Sequence, residues 1–380
     1  MRTLGILTNG GDTCSLNAVI KSIRDNAIEA GFPRVLGFED GFKGVMTKSV
    51  RLLTWEPIDP YQGGTILRSR RDAPRSDDDK RILFENLREL EVDTLIVIGG
   101  DGSLSATREL FEWSGSSNYP VKILGFPRTI DNDINTNTFE GSVEVALCPG
   151  YPSAALKIAR LTRDLRTTAM STRRVFTLET MGRDAGWLAA AASLGGAEFV
   201  LIPEVPMEDA DWERFYDRVA KLYKVNGGHV IIAVSEGFKF KGTQEMDAAF
   251  GPRKLGGAGV KVAKMVEKAL TERGLDGVEV RCQHADYIPR MGRPSEYDVA
   301  LAFALGKEIK AMLHDQRNGE LPIPTRVVSG PDIEKHIARI PLSRASQLLF
   351  PADEFYNKDK FSVSDAFIDF VKKIVDPREL

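Results

Sequence analysis

The chain has 380 residues, long for a single core and ordinary for two closely packed α/β domains. Apolar residues make up 42% and charged residues 28%, and 51 basic against 54 acidic side chains leave a formal net charge of −3. That balance excludes an extended nucleic-acid-binding surface but leaves room for local basic clusters that bind small anions. Three cysteines (Cys14, Cys148, Cys282) without C-x-x-C spacing supply no disulfide framework and no zinc motif, as expected in a reducing compartment. The four histidines show no metal-ligand spacing either. The first residues run straight into a strand-like pattern without a signal peptide, and no apolar run reaches the roughly 18 residues a membrane span needs. The expected setting is the cytoplasm.

In chain order, residues 4–8 read as a strand and 15–30 as a helix. Residues 94–98 predict a second strand ending in Gly99-Gly100, 104–113 the helix after it, and 122–126 a third strand broken at Pro127. Runs of this length, rich in β-branched residues and bounded by glycine, suit strands buried on both faces. Farther along, 174–178, 199–202 and 229–234 predict strands, while 153–165, 184–194, 207–223, 258–272 and 295–313 predict helices. Strand–helix alternation at this pitch implies parallel sheets with right-handed crossovers. The stretch 68–80 is too charged for a core and reads as a solvated loop, and a seam between domains falls near 135–150.

Ligands of open α/β sheets gather outside the carboxyl ends of the strands. Three segments fall there: Gly10-Gly11-Asp12, Gly99-Gly100-Asp101-Gly102-Ser103, and Pro127-Arg128-Thr129-Ile130-Asp131-Asn132-Asp133. Glycines let the backbone approach an anion, and the following helices add partial positive charge at their N-termini. An acidic residue in such a loop repels phosphate unless a cation intervenes, so Asp101 suggests Mg2+. Tight turns with capping aspartates would explain any one segment, but explain all three together less well. No G-x-x-x-x-G-K-[ST], G-x-G-x-x-G or G-x-S-x-G pattern occurs.

Together these residues resemble the phosphofructokinase family over most of the chain, in the right order. Gly10-Gly11-Asp12 with Asn17 resembles its first loop, and Gly99 to Ser103 its nucleotide and magnesium loop. Thr129-Ile130-Asp131-Asn132-Asp133 resembles the catalytic segment and Met181-Gly182-Arg183 the sugar-phosphate segment. Gly-Gly-Asp-Gly alone is shared with NAD and lipid kinases, whereas Thr-Ile-Asp-Asn-Asp followed later by Met-Gly-Arg is specific. The resemblance implies two Rossmann-like domains with largely parallel sheets. One is a donor domain over 1–138, completed by part of 288–330; the other is a sugar-phosphate domain over 139–287, completed by 331–380. It also implies a glycolytic transfer to the 1-hydroxyl of fructose 6-phosphate, which needs positioning and charge neutralisation more than covalent help. Asp131 would be the base, supported by Thr129, Gly10 and Arg71, with Asp101 organising Mg2+. The donor would meet Gly10, Gly11, Phe42 near the adenine, Arg71, Gly100, Asp101, Gly102, Ser103 and Arg128. The sugar phosphate would meet Thr129, Asp131, Asp133, Arg174, Met181, Gly182, Arg183, Glu236, Arg281, Tyr287 and Arg290, because guanidinium donates paired hydrogen bonds to phosphate. In the family the counterparts of Arg174 and Arg281 cross a subunit interface, which implies a homo-oligomer, dimer or tetramer, with no nucleic-acid or membrane partner.

Two positions separate the donor classes of the family. Glycine after the metal aspartate goes with ATP and aspartate with pyrophosphate; Gly102 leaves the α-phosphate volume open. Lysine before the catalytic threonine goes with pyrophosphate, and Arg128 is likewise cationic. Volume exclusion is the harder constraint, so ATP is the expected donor and pyrophosphate the alternative. The first loop carries Cys14-Ser15 where the family usually has Pro-Gly, with Ser15 still able to cap the next helix. Residues 138–144 and Pro289-Arg290-Met291-Gly292 also depart from the family pattern near the substrate side, which makes sedoheptulose 7-phosphate a competing acceptor. Outside this chemistry, a regulatory subunit that binds sugar phosphate without turnover would be expected to lose Asp131 or Asp101, and both remain.

Overall fold

The structure is a computed structural model that describes residues 2–115, 119–135, 147–241, 256–328, 330–347 and 349–380. Its first elements are β1 (Thr3–Thr8), α1 (Leu16–Glu29), β2 (Arg34–Phe38), α2 (Phe42–Thr47), β3 (Val50–Leu52) and α3 (Asp77–Glu89). Then come β4 (Thr94–Gly99), α4 (Asp101–Ser114), β5 (Lys122–Pro127), β6 (Ile134–Asn135), α5 (Tyr151–Thr172), β7 (Val175–Thr180) and α6 (Trp187–Ala191). The chain continues through β8 (Phe199–Leu201), α7 (Asp209–Val225), β9 (Val230–Ser235), α8 (Ala258–Glu272), β10 (Val280–His284) and α9 (Glu296–His314). It ends with β11 (Glu320–Pro324), β12 (Ile337–Pro341), β13 (Ser346–Gln347), α10 (Ala352–Phe355), β14 (Tyr356–Asn357), β15 (Ser362–Val363) and α11 (Asp365–Ile374).

The chain divides into two units, Met1–Ser153 with Arg290–Leu348, and Ala154–Pro289 with Leu349–Leu380. The first is built on a seven-stranded sheet in the order β12-β11-β5-β4-β1-β2-β3. β1 pairs in parallel with both β2 and β4, and β4 with β5, while β3 and β12 are antiparallel edges. All residues of β1 and β4 are buried, which their unbroken apolar runs require of strands covered on both faces. The order reverses at β1, so the loops after β1 and β4 diverge from neighbouring strand ends and leave a crevice there.

The second unit holds a four-stranded parallel sheet in the order β10-β7-β9-β8. Its C-terminal stretch returns as α11, whose Phe367 and Phe370 pack with Phe350 and Phe355 around the fully buried Trp187. Aromatic contacts of this kind add about 0.5–1.5 kcal/mol each beyond area burial, enough to bind a distant segment to the unit.

These boundaries differ from those read in the sequence. The passage between units falls in the first turn of α5 instead of at 138/139, and 331–348 stays with the first unit because β12 pairs with β11. Residues 138–144 lie outside the described residues. The charged stretch 68–80 is not wholly loop: α3 starts at Asp77. There the Ser76 hydroxyl accepts from Asp79 N at 3.1 Å while the Asp79 carboxylate accepts from Ser76 N at 3.2 Å, a reciprocal cap whose Ser-x-x-Asp spacing was legible. The helix expected over 184–194 shortens to α6 followed by a 3-10 turn, Ala192–Gly195. Among the described residues no helix is long and apolar enough to cross a membrane.

Candidate active site

The loops after β1, β4 and β5 lie side by side in the first unit. Asn9 N donates to Ile98 O at 2.9 Å and Arg128 N to Gly99 O at 2.9 Å, so the three strands leave the sheet in register. Gly10 has φ 97°, a left-handed conformation that glycine adopts without strain. The segment after Gly64 clamps this turn: Gly10 N donates to Arg70 O at 2.7 Å, and Ser69 Oγ to Gly10 O at 2.8 Å. Asn17 anchors the same segment, donating to Gln62 O at 3.1 Å and accepting from Ile66 N at 2.9 Å. Arg290 packs over Gly11, where a Cβ would stand 2.4 Å from its Nη1, and that Nη1 donates to Asp12 O at 2.8 Å. Arg290, expected among the sugar-phosphate contacts, thus belongs by its contacts to the first loop.

Arg128 lies almost wholly buried beneath that loop. Its guanidinium donates to Asn9 O at 2.8 Å and to Gly11 O. Burial, reinforced by the charges of Arg290 and Arg71, holds its pKa down to about 9 against the opposing pull of Asp12 and Asp131. Arg71 is exposed, with no hydrogen bond or ion pair among the described residues. One end of the crevice therefore concentrates three guanidinium groups around backbone glycines, an arrangement that receives phosphate.

Carboxylates stand close to these guanidinium groups. Asp101 is the first residue of α4, not a loop residue three positions ahead of it, and burial raises its pKa while Arg108 opposes. The catalytic segment folds on itself: Thr129 Oγ1 donates to Asp133 Oδ1 at 3.0 Å and accepts from Asp131 N at 3.0 Å. Asn132 takes φ 51° and accepts from Cys148 N through its Oδ1 at 3.0 Å, which fixes the turn. Asp133 is pushed up to about 7 by burial first, then by the charges of Asp131 and Asp101, against the hydrogen bond from Thr129. Asp133 thus feels the charges of both Asp131 and Asp101. A carboxylate that feels two others, all offering only oxygen donors, fits a hard divalent cation such as Mg2+.

Gly102 follows Asp101 on the exposed side of the α4 N-terminus, and a Cβ placed on it would meet nothing within 4 Å. The volume a larger side chain would fill is open. Phe42 corrects the expectation placed on it. It is fully buried in the core with Leu7, Phe38, Leu83 and Val97, so its ring has no free face to offer an adenine. Ser15 also behaves differently: with φ −93° and ψ 5° it begins α1 without a side-chain cap, and its buried hydroxyl makes no hydrogen bond among the described residues. The departures at Cys14 and Met291 meet, Cys14 Sγ donating to Met291 O at 3.2 Å.

Asp298 has no counterpart among the residues singled out in the sequence. Fully buried in α9, it accepts from Gly150 N at 2.8 Å and Ser153 Oγ at 2.5 Å. Gly150 bridges Thr129, and Thr129 N donates to Pro149 O at 3.1 Å, so Asp298 underpins the catalytic segment. Ser295-x-x-Asp298 signals only a helix start in sequence; its second task depends on tertiary packing.

In the second unit, β7 and β9 end side by side with Thr180 opposite Ser235. The next residues pack tightly. Gly237 N donates to Gly182 O at 3.1 Å, and a Cβ on Gly237 would fall 1.7 Å from Arg183 O. Glu236 approaches the Gly182 backbone, its Oε1 lying 3.4 Å from Gly182 N. Met181, Gly182, Arg183 and Glu236 therefore converge, with Arg183 exposed and without a hydrogen bond or ion pair among the described residues. Tyr287 is also exposed, beyond the end of β10. Arg174 and Arg281 do not join them. They flank Glu279 at the opposite end of the sheet, at 2.7 Å and 3.1 Å from its Oε2. The six residues of β7 lie between Arg174 and Met181, which are about 23 Å apart at about 3.3 Å per residue step.

This arrangement of strand-end loops, carboxylates and arginines has relatives. The family described as Phosphofructokinase matches residues 3–313. The chain belongs to the phosphofructokinase family. A "Pyrophosphate--fructose 6-phosphate 1-phosphotransferase" of Dictyoglomus thermophilum is 33% identical over 326 residues, covering 83% of this chain and 87% of the relative. An "ATP-dependent 6-phosphofructokinase" of Chloroflexus aurantiacus is 36% identical over 319 residues, covering 80% and 82%. The solved pyrophosphate-dependent phosphofructokinase of Nitrosospira multiformis superposes with a TM-score of 0.82 over 98% of this chain and 92% of that one. At 23% identity that likeness concerns the fold, which is the α/β phosphofructokinase fold with mostly parallel sheets.

Proposed function

We propose that this phosphofructokinase-family protein is an ATP-dependent 6-phosphofructokinase that phosphorylates the 1-hydroxyl of fructose 6-phosphate. The observation that carries the choice of donor is the open volume at Gly102, beside Asp101 and at the N-terminus of α4. An α-phosphate fits where a longer side chain would exclude it, and the helix N-terminus favours its charge.

In this reading Asp131 accepts the proton of the 1-hydroxyl as that oxygen forms its bond to the γ-phosphorus. The bond from phosphorus to the bridging oxygen breaks, and ADP leaves with the electron pair. The Asp131 backbone is tied to Thr129, so the carboxylate is positioned before substrate arrives. Gly10, Gly11, Gly100, Ser103, Arg71 and Arg128 line or brace the donor loops. Asp101, with Asp131 and Asp133 beside it, would hold Mg2+, which supplies neutralising charge to the donor phosphates. Met181, Gly182, Arg183, Glu236 and Tyr287 would bind the sugar phosphate. Arg174 and Arg281 stand far from that loop within one chain, so we assign them to the acceptor bound by a second copy in a homo-oligomer. Three cysteines, none of them in a disulfide, suit a reducing, cytoplasmic setting.

The test is a donor assay on purified protein, with ATP and pyrophosphate each offered with fructose 6-phosphate and sedoheptulose 7-phosphate. Turnover with ATP and fructose 6-phosphate is expected; product from pyrophosphate alone overturns the donor, and preference for the seven-carbon sugar overturns the acceptor. The second reading, a pyrophosphate-dependent enzyme, has in its favour the buried cation Arg128 directly before Thr129.

A further inference from the structure

The second unit carries a group of side chains outside the machinery just described. Glu179 near the end of β7 lies opposite His284, the last residue of β10. Side chains alternate along a strand, so Cys282 and His284, two residues apart, share the face that Glu179 takes on the neighbouring strand. There His284 Nδ1 stands 3.4 Å from Glu179 Oε1, and its Nε2 stands 3.7 Å from Cys282 Sγ. One potential ligand atom from each residue lies within 4.8 Å of the other two. A tetrahedral zinc ion, with bonds of about 2.3 Å to sulfur and about 2.0 Å to nitrogen or oxygen, sets its ligand atoms about 3.3–3.6 Å apart. Only one imidazole nitrogen can bind the ion, so the group stands a short side-chain adjustment away from ligating geometry.

Its surroundings agree. Glu179 is held by two backbone donors, Gly257 N to Oε1 at 3.0 Å and Gly259 N to Oε2 at 2.6 Å. Carboxylate ligands are commonly oriented in this way by outer hydrogen bonds. The Glu179 side chain is 7% exposed and that of His284 39%, so an ion would enter from the histidine side and keep an open position toward solvent. We propose that Glu179, Cys282 and His284 form a site for a thiophilic divalent cation of the zinc type, with water in the remaining position. Thiolate and imidazole select such an ion over magnesium or calcium, so this site differs in chemistry from the all-oxygen cluster of Asp101, Asp131 and Asp133. The sulfur–metal bond forms as the Cys282 thiol releases its proton to solvent. Spacing within the sequence hides the site, because the third ligand comes from another strand.

The full-length protein, stripped of metal by chelator, is titrated with Co2+. One equivalent per chain is expected, with thiolate-to-cobalt charge-transfer absorption that Zn2+ abolishes and excess Mg2+ does not. Cys14 and Cys148 are buried, so the absorption reports Cys282. Cys282→Ser removes the absorption and His284→Ala weakens Co2+ binding at least about 10-fold, both with the circular dichroism of the parent. Absence of the band in the parent protein, its survival in Cys282→Ser, or displacement by Mg2+ overturns the site. If Cys282→Ser fails to fold, alkylation of Cys282 in the parent protein, read by mass spectrometry, decides. Protection by Zn2+ supports the site, and unchanged labelling overturns it.

Discussion

In the first unit the catalytic segment is tied at nearly every residue: Thr129 to Asp133 and Asp131, Asn132 to Cys148, and the Gly150 backbone that bridges Thr129 to Asp298. In the second, Met181-Gly182-Arg183 has a rigid backbone packed on Gly237, yet Arg183 itself stands exposed and unpaired among the described residues. Different chemistry explains the contrast. A base must meet one proton at one distance, and small misplacements cost rate steeply. A long guanidinium reading a dianion corrects its own position as it binds, so only its root needs fixing.

If the contrast holds, the largest effect falls on the rigid side. Asp131→Ser is expected to lower kcat about 1,000-fold, with sugar-phosphate binding largely intact by calorimetry; full turnover would remove Asp131 from its role. Gly102→Asp should fold normally, since its side chain enters open space, and should weaken use of ATP about 100-fold by like-charge repulsion. Kinetics with ATP and pyrophosphate measure this. Arg183→Ala, on the compliant side, should raise the apparent KM for the sugar phosphate about 10- to 100-fold while kcat changes little. An equal loss in kcat would mean that Arg183 is as preorganised as the base.

Acid–base linkage gives a finer test. Asp133, pushed up to about 7 by burial and by Asp131 and Asp101, holds its proton more tightly folded than unfolded. Its contribution to stability is therefore present at low pH and is lost as pH rises toward about 7 without a cation. Protons and Mg2+ compete for the cluster, so Mg2+ affinity should rise from about pH 6 to about pH 8, and Asp133→Asn should flatten that dependence in calorimetry. The mildest effect on turnover is expected for Arg128→Met, which leaves the Asn9 and Gly11 carbonyls without their donor and costs about 1–3 kcal/mol of stability in denaturant unfolding.

The alternation of buried strands and amphipathic helices was legible because both patterns are local, repeating along a few turns or a few strand residues. The loops carrying Gly10, Asp101, Asp131 and Arg183 were legible as well, since each chemistry-bearing segment is contiguous in the chain. Tertiary packing decided the rest. Phe42 could be a stacking ring or a core ring until its neighbours from other elements enclosed it. Asp298 beneath Thr129, Arg290 against Gly11, Cys14 bonded to Met291, and Glu179 beside Cys282 and His284 all join residues far apart in sequence. No short-range pattern encodes such meetings; they arise only when the sheets fix the strand order and bring the loop ends together.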